Sequence, residues 1–177
     1  MKLLTFRTNK ADYERVGVFE NGYIIDLSNH SELPDSLLSI IKEGKNILKK
    51  VQKVKDERSG NPDYNFREDQ VTFMPPIPTP GKIICVGLNY YDHIEETKGT
   101  LNLKMPDSPR AFAKFPSSLI GHNTTIPYPN HSKALDYELE IAMIVATKCE
   151  NISPNKASDY IFGFSIFNDL SLRDLQK

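Results

Sequence analysis

Asp136-Tyr137-Glu138-Leu139-Glu140-Ile141-Ala142-Met143-Ile144-Val145 decides how this chain is to be read. The segment predicts a strand that changes character halfway along. Side chains alternate with period two in a strand, so Glu138 and Glu140 share one face, with Cα atoms roughly 6.6 Å apart. Tyr137, Leu139 and Ile141 take the other face. Beyond Glu140 the segment is apolar on both faces, the pattern of a buried strand. Two carboxylates entering a core side by side repel by about 2.5 kcal/mol at an effective dielectric of about 20, before any desolvation cost. Two readings accommodate them. Either this end of the strand is frayed and both glutamates are hydrated, or a divalent cation sits between them. Oxygen-only ligands favour a hard ion such as Mg²⁺, Mn²⁺ or Ca²⁺.

Composition narrows the class of protein. At 177 residues the chain holds one domain, or a modest domain with a small appendage. A formal net charge of -1 and a pI of about 6.4 supply no basic field for nucleic acid or a membrane surface. A mean hydropathy of -0.43 fits a water-soluble globular protein. No apolar run approaches the roughly 20 residues of a membrane span, and Met1-Lys2-Leu3-Leu4-Thr5-Phe6-Arg7 is too short for a secretory signal, so the cytoplasm is the expected compartment. Cys85 and Cys149 each lie near an apolar run and are expected as buried free thiols.

Residues 1–74 predict a small α+β domain. Val16-Gly17-Val18-Phe19 and Tyr23-Ile24-Ile25-Asp26-Leu27 flank Glu20-Asn21-Gly22, and Asn-Gly between apolar runs is the strongest short hairpin signal. Asp35 or Ser36 caps a short helix carrying Leu37, Leu38, Ile40 and Ile41, with Gly44 as its stop. A second helix puts Ile47, Leu48, Val51 and Val54 on one face and Lys45, Lys49, Lys50, Lys53 and Lys55 on a solvated one. Four prolines in the six residues 75–80, with Gly81, make 75–81 a stiff connector and a domain boundary. Residues 82–177 then predict a short strand from Lys82 to Gly87, a helical turn beyond Asn89, and a strand from Arg110 to Phe115. The two-glutamate strand comes next, followed by a helix from Ser153-Pro154 to Gly163 and a strand over Phe164–Phe167.

Few side chains in this second part suggest chemistry. His93 and Glu96, three apart on a helical turn, share a face. A carboxylate on one imidazole nitrogen raises basicity and leaves the other to take a proton from water; a solvated surface pair is spelled the same way. Asp169 ends an apolar strand, where its carboxylate can join the two glutamates as a third metal ligand or cap a following helix. His30, His122 and His131 read as exposed loop residues.

Four blocks in order complete the picture: Val86-Gly87-Leu88-Asn89-Tyr90-Tyr91-Asp92-His93; Phe112-Ala113-Lys114 with Pro116-Ser117; Asp136 to Glu140; and Asn168-Asp169-Leu170-Ser171-Leu172-Arg173-Asp174-Leu175-Gln176. Together they resemble the fumarylacetoacetate hydrolase family. The resemblance implies an α+β fold, mostly β, in which 82–177 form the first half of a mixed-sheet β-roll. Residues 1–74 look like the small extra domain of many bacterial members. It further implies that Glu138, Glu140 and Asp169 bind a divalent metal, usually Mg²⁺ or Mn²⁺, and that His93 and Glu96 form the base that activates water. Gln176 and Lys114 fall on the substrate side. The substrate class implied is a 2-oxo or 2,4-dioxo acid, undergoing hydrolytic C–C cleavage, isomerisation or decarboxylation, in a homodimer. Family members continue well past the block that ends at Gln176, with a further lysine and a threonine-bearing loop. The chain is therefore expected to be a shortened version of a full enzyme. A non-catalytic metal-binding or interaction module, and a chain completed by a second polypeptide, are the alternatives.

Overall fold

A computed structural model describes residues 1–87 and 108–176. The chain divides into two compact units: Met1–Ile77 together with Gly121–Lys177, and Pro78–Ile120. The fold is α+β and predominantly β.

The first unit is built on an antiparallel five-stranded sheet. Its strands are β1 (Lys2–Thr8), β2 (Ala11–Glu20), β3 (Tyr23–Asp26), β4 (Asn65–Arg67) and β5 (Val71–Phe73), in the order β4-β3-β2-β1-β5. Glu20 pairs with Tyr23 across a two-residue loop, and Asn21 and Gly22 both take positive φ (53° and 82°). That is why Asn-Gly is needed there: the turn that matches strand twist requires left-handed backbone at both central positions. Helix α1 (Leu37–Lys42) is capped by Ser36, whose hydroxyl accepts the Ser39 N–H at 3.1 Å. Helix α2 (Leu48–Arg58) follows a single 3-10 turn.

Both helices cover one face of the sheet, where Val16, Val18, Leu27, Leu37, Ile40, Ile41, Ile47, Val51 and Val54 form the core. Leu4, Phe6, Ile24 and Val71 form a smaller cluster. The buried positions of α2 are Val51, Val54, Lys55 and Arg58, a stripe at spacings of three and four. Lys55 therefore does not join the solvated lysines. It shares the row of Val51 one turn back, and its stem is buried while Nζ reaches Glu20 at 2.9 and 3.0 Å. Arg58 is also buried: Nη1 donates to the carbonyls of Asp26 and Ser28 at 2.8 and 2.9 Å, and the guanidinium lies 4.1 Å from the Tyr64 ring centre. Asp26, fully buried, accepts from Arg15 Nε at 2.8 Å and from the Ser28 N–H at 2.9 Å. His30 is half-buried rather than exposed, its Nε2 3.4 Å from Glu57.

In the same unit, β8 (Leu135–Asp136) pairs with β11 (Ser171–Leu172), and β9 (Leu139–Val145) pairs with β10 (Ile161–Asn168), both antiparallel. Ile144, Ala146 and Phe162 pack against the helix-covered core. Phe162 is the extra residue of a bulge, since Ile161 faces Val145 and Gly163 already faces Ile144.

Four expectations are corrected here. The continuous strand from Asp136 to Val145 is broken at Tyr137-Glu138, because β8 and β9 have different partners. The apolar half is not buried on both faces: Leu139 and Ile141 are 76% and 71% exposed, and Ile166 opposite is 78% exposed. The predicted helix after Ser153 is a 3-10 segment, Pro154–Tyr160, and β10 begins at Ile161. Ser153 Oγ donates to Asn155 Oδ1 instead of capping backbone N–H, and the Tyr160 carbonyl accepts the Ala146 N–H at 2.9 Å, which draws the chain into the sheet. The second unit contains β6 (Ile83–Gly87) paired with β7 (Arg110–Lys114). Cys85 is buried, whereas Cys149 is exposed, contrary to expectation.

Candidate metal and substrate site

The candidate site lies where β9 begins and β10 ends. Antiparallel pairing puts Glu140 opposite Phe167 and Leu139 opposite Asn168, so Asp169 follows directly at the mouth of the ribbon. Asp169 is 3% exposed and Glu140 half-buried, and each offers a carboxylate oxygen within 4.8 Å of the other. No helix follows Asp169; Ser171 enters β11, and the Ser171 hydroxyl donates to the Asp169 carbonyl at 3.1 Å.

Glu138 sits at the break between β8 and β9. Its N–H donates to Asn168 Oδ1 at 3.2 Å and its carbonyl accepts the Asp169 N–H at 2.9 Å. The Asn168-Asp169 pair thus fixes the Glu138 backbone beside the other two acids. Its carboxylate, however, is engaged by Arg173 Nη2. Among the described residues, Glu140 and Asp169 are the predicted ligands brought into one close-set group, and Glu138 is joined to them through backbone.

Arg173 ties the site together. Its N–H donates to the Ala134 carbonyl at 2.8 Å, extending the β8–β11 ladder. Its guanidinium spends all three nitrogens: Nε on Asp136 Oδ2 at 2.9 Å, Nη2 on Glu138 Oε1, and Nη1 on Gln176 Oε1 at 2.9 Å. The Glu138 hydrogen bond, followed by that of Asp136, holds the guanidinium above its ordinary pKa. Because the Gln176 amide oxygen faces a cation that can only donate, the amide NH₂ is turned away from it, as a donor. Below this, Asp174 accepts from Ser132 Oγ at 2.7 Å and from the Lys133 N–H at 3.1 Å, and these bonds hold its carboxyl below the usual range.

His93 and Glu96 lie outside the described residues. Lys114 is half-buried at the end of β7, in the second unit. Arg173 and Asp136 are functional candidates that motif reading passed over. Antiparallel register could have found them: Ser171 faces Asp136, so Arg173, two residues on, emerges on the same face.

The carboxylates of Glu140 and Asp169 are oxygen donors of the kind a hard divalent ion takes. Comparison with known proteins gives the architecture its class. A maleylpyruvate hydrolase from a Sphingobium species, solved with manganese and pyruvate, superimposes with a TM-score of 0.74 over 98% of this chain and 60% of its own, at 21% identity, a likeness of fold. A fumarylacetoacetate hydrolase from psychrophilic Exiguobacterium antarcticum matches 99% of this chain and 58% of its own, at 34% identity and a TM-score of 0.66. The mitochondrial oxaloacetate tautomerase of Xenopus laevis is 31% identical over 179 residues, 99% of this chain and 54% of that protein. The sequence profile of the fumarylacetoacetate (FAA) hydrolase C-terminal domain matches residues 82–177. This chain belongs to the fumarylacetoacetate hydrolase family. It spans about half the length of the curated relatives it matches. Among the described residues, no helix is long and apolar enough to cross a membrane.

Proposed function

We propose that this chain carries the metal-binding part of a divalent-metal-dependent enzyme acting on 2-oxo or 2,4-dioxo acids, by C–C cleavage, isomerisation or decarboxylation. The observation that carries the proposal is the approach of Glu140 and Asp169 to within 4.8 Å, from the start of one strand and the end of its partner. Glu138, Glu140 and Asp169 would hold the ion, with Mg²⁺ or Mn²⁺ the expected metal. When bound, it supplies Lewis acidity for the negative charge that develops on the 2-oxo group.

The chain's own residues do the rest. Asp169, almost wholly buried, keeps one ligand out of bulk water, where its interaction with a cation is strongest. Gln176 presents its amide NH₂ to an oxygen of the acid, and Lys114 offers a charge for a substrate carboxylate. His93, oriented by Glu96, takes the proton from water or moves it on the substrate. The same reading assigns 1–74 to an appended domain, 75–81 to a connector and 82–177 to the first half of the catalytic domain. It also places the protein in the cytoplasm as a homodimer.

The test is turnover of a panel of 2-oxo and 2,4-dioxo acids with Mg²⁺ or Mn²⁺ present and after EDTA, together with Mn²⁺ titration of the 177-residue chain. Metal-dependent turnover and saturable Mn²⁺ binding are expected. Turnover that survives EDTA, or a chain that takes up no Mn²⁺, overturns the proposal.

A further inference from the structure

Among the described residues, Arg173 is the cation joined by its side chain to both acids flanking Tyr137, and the geometry points to a specific task. Resting on the metal reading above, we propose that Arg173 is a positioning residue: it fixes the orientation of the Glu138 carboxylate, and so sets the affinity of the site for a divalent ion.

Three observations carry this. First, the guanidinium is anchored independently of Glu138. Nε is held by Asp136, Nη1 by Gln176, and the backbone by Ala134, so Arg173 does not depend on Glu138 for its place. Second, Asp136 is itself fixed, because its other oxygen, Oδ1, accepts the Tyr137 N–H at 2.9 Å. Rigidity therefore runs from the β8 backbone through Asp136 to the guanidinium plane, and from that plane to Glu138 Oε1. Third, the Glu138 main chain is pinned to Asn168 and Asp169 on the opposite side. Main chain and one carboxylate oxygen both being set, the rotamer of Glu138 is determined at two ends.

A carboxylate with one oxygen on a fixed guanidinium keeps its second oxygen for an ion, and such outer partners orient ligands and tune affinity. Lysine cannot replace this arrangement. Its ammonium is a single point on a flexible stem and cannot span Asp136, Glu138 and Gln176 in one plane.

The test is a double-mutant cycle on Mn²⁺ affinity, read by calorimetry and by the EPR spectrum of bound Mn²⁺, with melting temperatures taken in EDTA as the folding control. Arg173→Lys should weaken Mn²⁺ binding by about tenfold to a hundredfold, with a melting temperature close to that of the unsubstituted chain. Glu138→Gln should weaken it too, and the combined variant should be no weaker than Glu138→Gln alone, since Arg173 acts through that side chain. Affinity within twofold of the unsubstituted chain for Arg173→Lys overturns the inference, as does tighter binding, which would mean that Arg173 competes with the ion. Additive losses overturn it as well, as does a loss that only tracks a lowered melting temperature. If the unsubstituted chain binds no Mn²⁺, the metal reading itself falls, and this inference with it. If it binds Mn²⁺ and Glu138→Gln changes nothing, the metal reading stands on Glu140 and Asp169 and this inference alone is lost.

Discussion

Replacing Asp26 by alanine should remove about 3–5 kcal/mol of folding stability, the cost of leaving a buried charge without its partner. Asp26 is fully buried at the end of β3 and accepts from Arg15 Nε at 2.8 Å. At that distance and an effective dielectric of about 20, the Coulomb attraction is roughly 6 kcal/mol, offset by a desolvation cost of several kcal/mol for the two ions. The substitution also strands the Ser28 N–H, worth about 1 kcal/mol when bonded. Arg15 recovers part of the loss, because its side chain is 15% exposed and can turn towards water. A domain of this size has only about 5–15 kcal/mol to lose, so the effect should be plain in urea unfolding. With no tryptophan and eight tyrosines, circular dichroism and tyrosine emission are the probes. Arg15→Ala should cost at least as much as Asp26→Ala, because it strands the fully buried Asp26 carboxylate, and the pair together should cost less than the sum. Because Ile144, Ala146 and Phe162 lean on the core that this network borders, Mn²⁺ affinity should fall in step with stability. A loss below about 1 kcal/mol, or simple additivity, would refute the coupling argument.

Glu140→Ala should abolish saturable Mn²⁺ binding in titration while leaving the N-terminal sheet folded by circular dichroism. Gly22→Ala should cost about 1 kcal/mol in urea, because φ there is 82° and a Cβ disfavours that conformation. Asp174, held below the usual carboxylate range by Ser132 and the Lys133 N–H, adds stability that is present above a pH of about 4 and is lost as pH falls through its folded value. Hydrogen exchange near β8 and β11 should therefore accelerate on acidification, and Ser132→Ala should move the onset to higher pH. Lys55, raised by Glu20, behaves oppositely: its contribution is present below a pH of about 10 and is lost as pH rises through the higher folded value.

Legibility in the sequence followed the range of the forces involved. The Asn21-Gly22 turn, the Ser36 cap and the apolar rows of α1 and α2 are local, and the residues announce them. The acids of the site were legible as residue types, since carboxylates at the head of an apolar strand call for a cation. Their arrangement was not. The break at Tyr137-Glu138 follows from β8 and β9 having different partners, which no period within the segment records. Lys55 was misplaced for a related reason: composition says solvent, while its position one turn from Val51, opposite Glu20, says interior. Arg173 escaped notice because its importance lies in three acceptors gathered from Asp136, Glu138 and Gln176, two of them more than thirty residues away.

The outward row of Leu139, Ile141, Met143, Phe164 and Ile166 on the β9–β10 ribbon has a consequence at the bench. An exposed apolar strip of this kind is adhesive, so the chain should scatter light increasingly with concentration and adsorb to plastic. Metal titrations are best run dilute, with a mild detergent at hand. Charged replacements at Ile141 and Ile166 should restore clear solutions without touching Glu140 or Asp169.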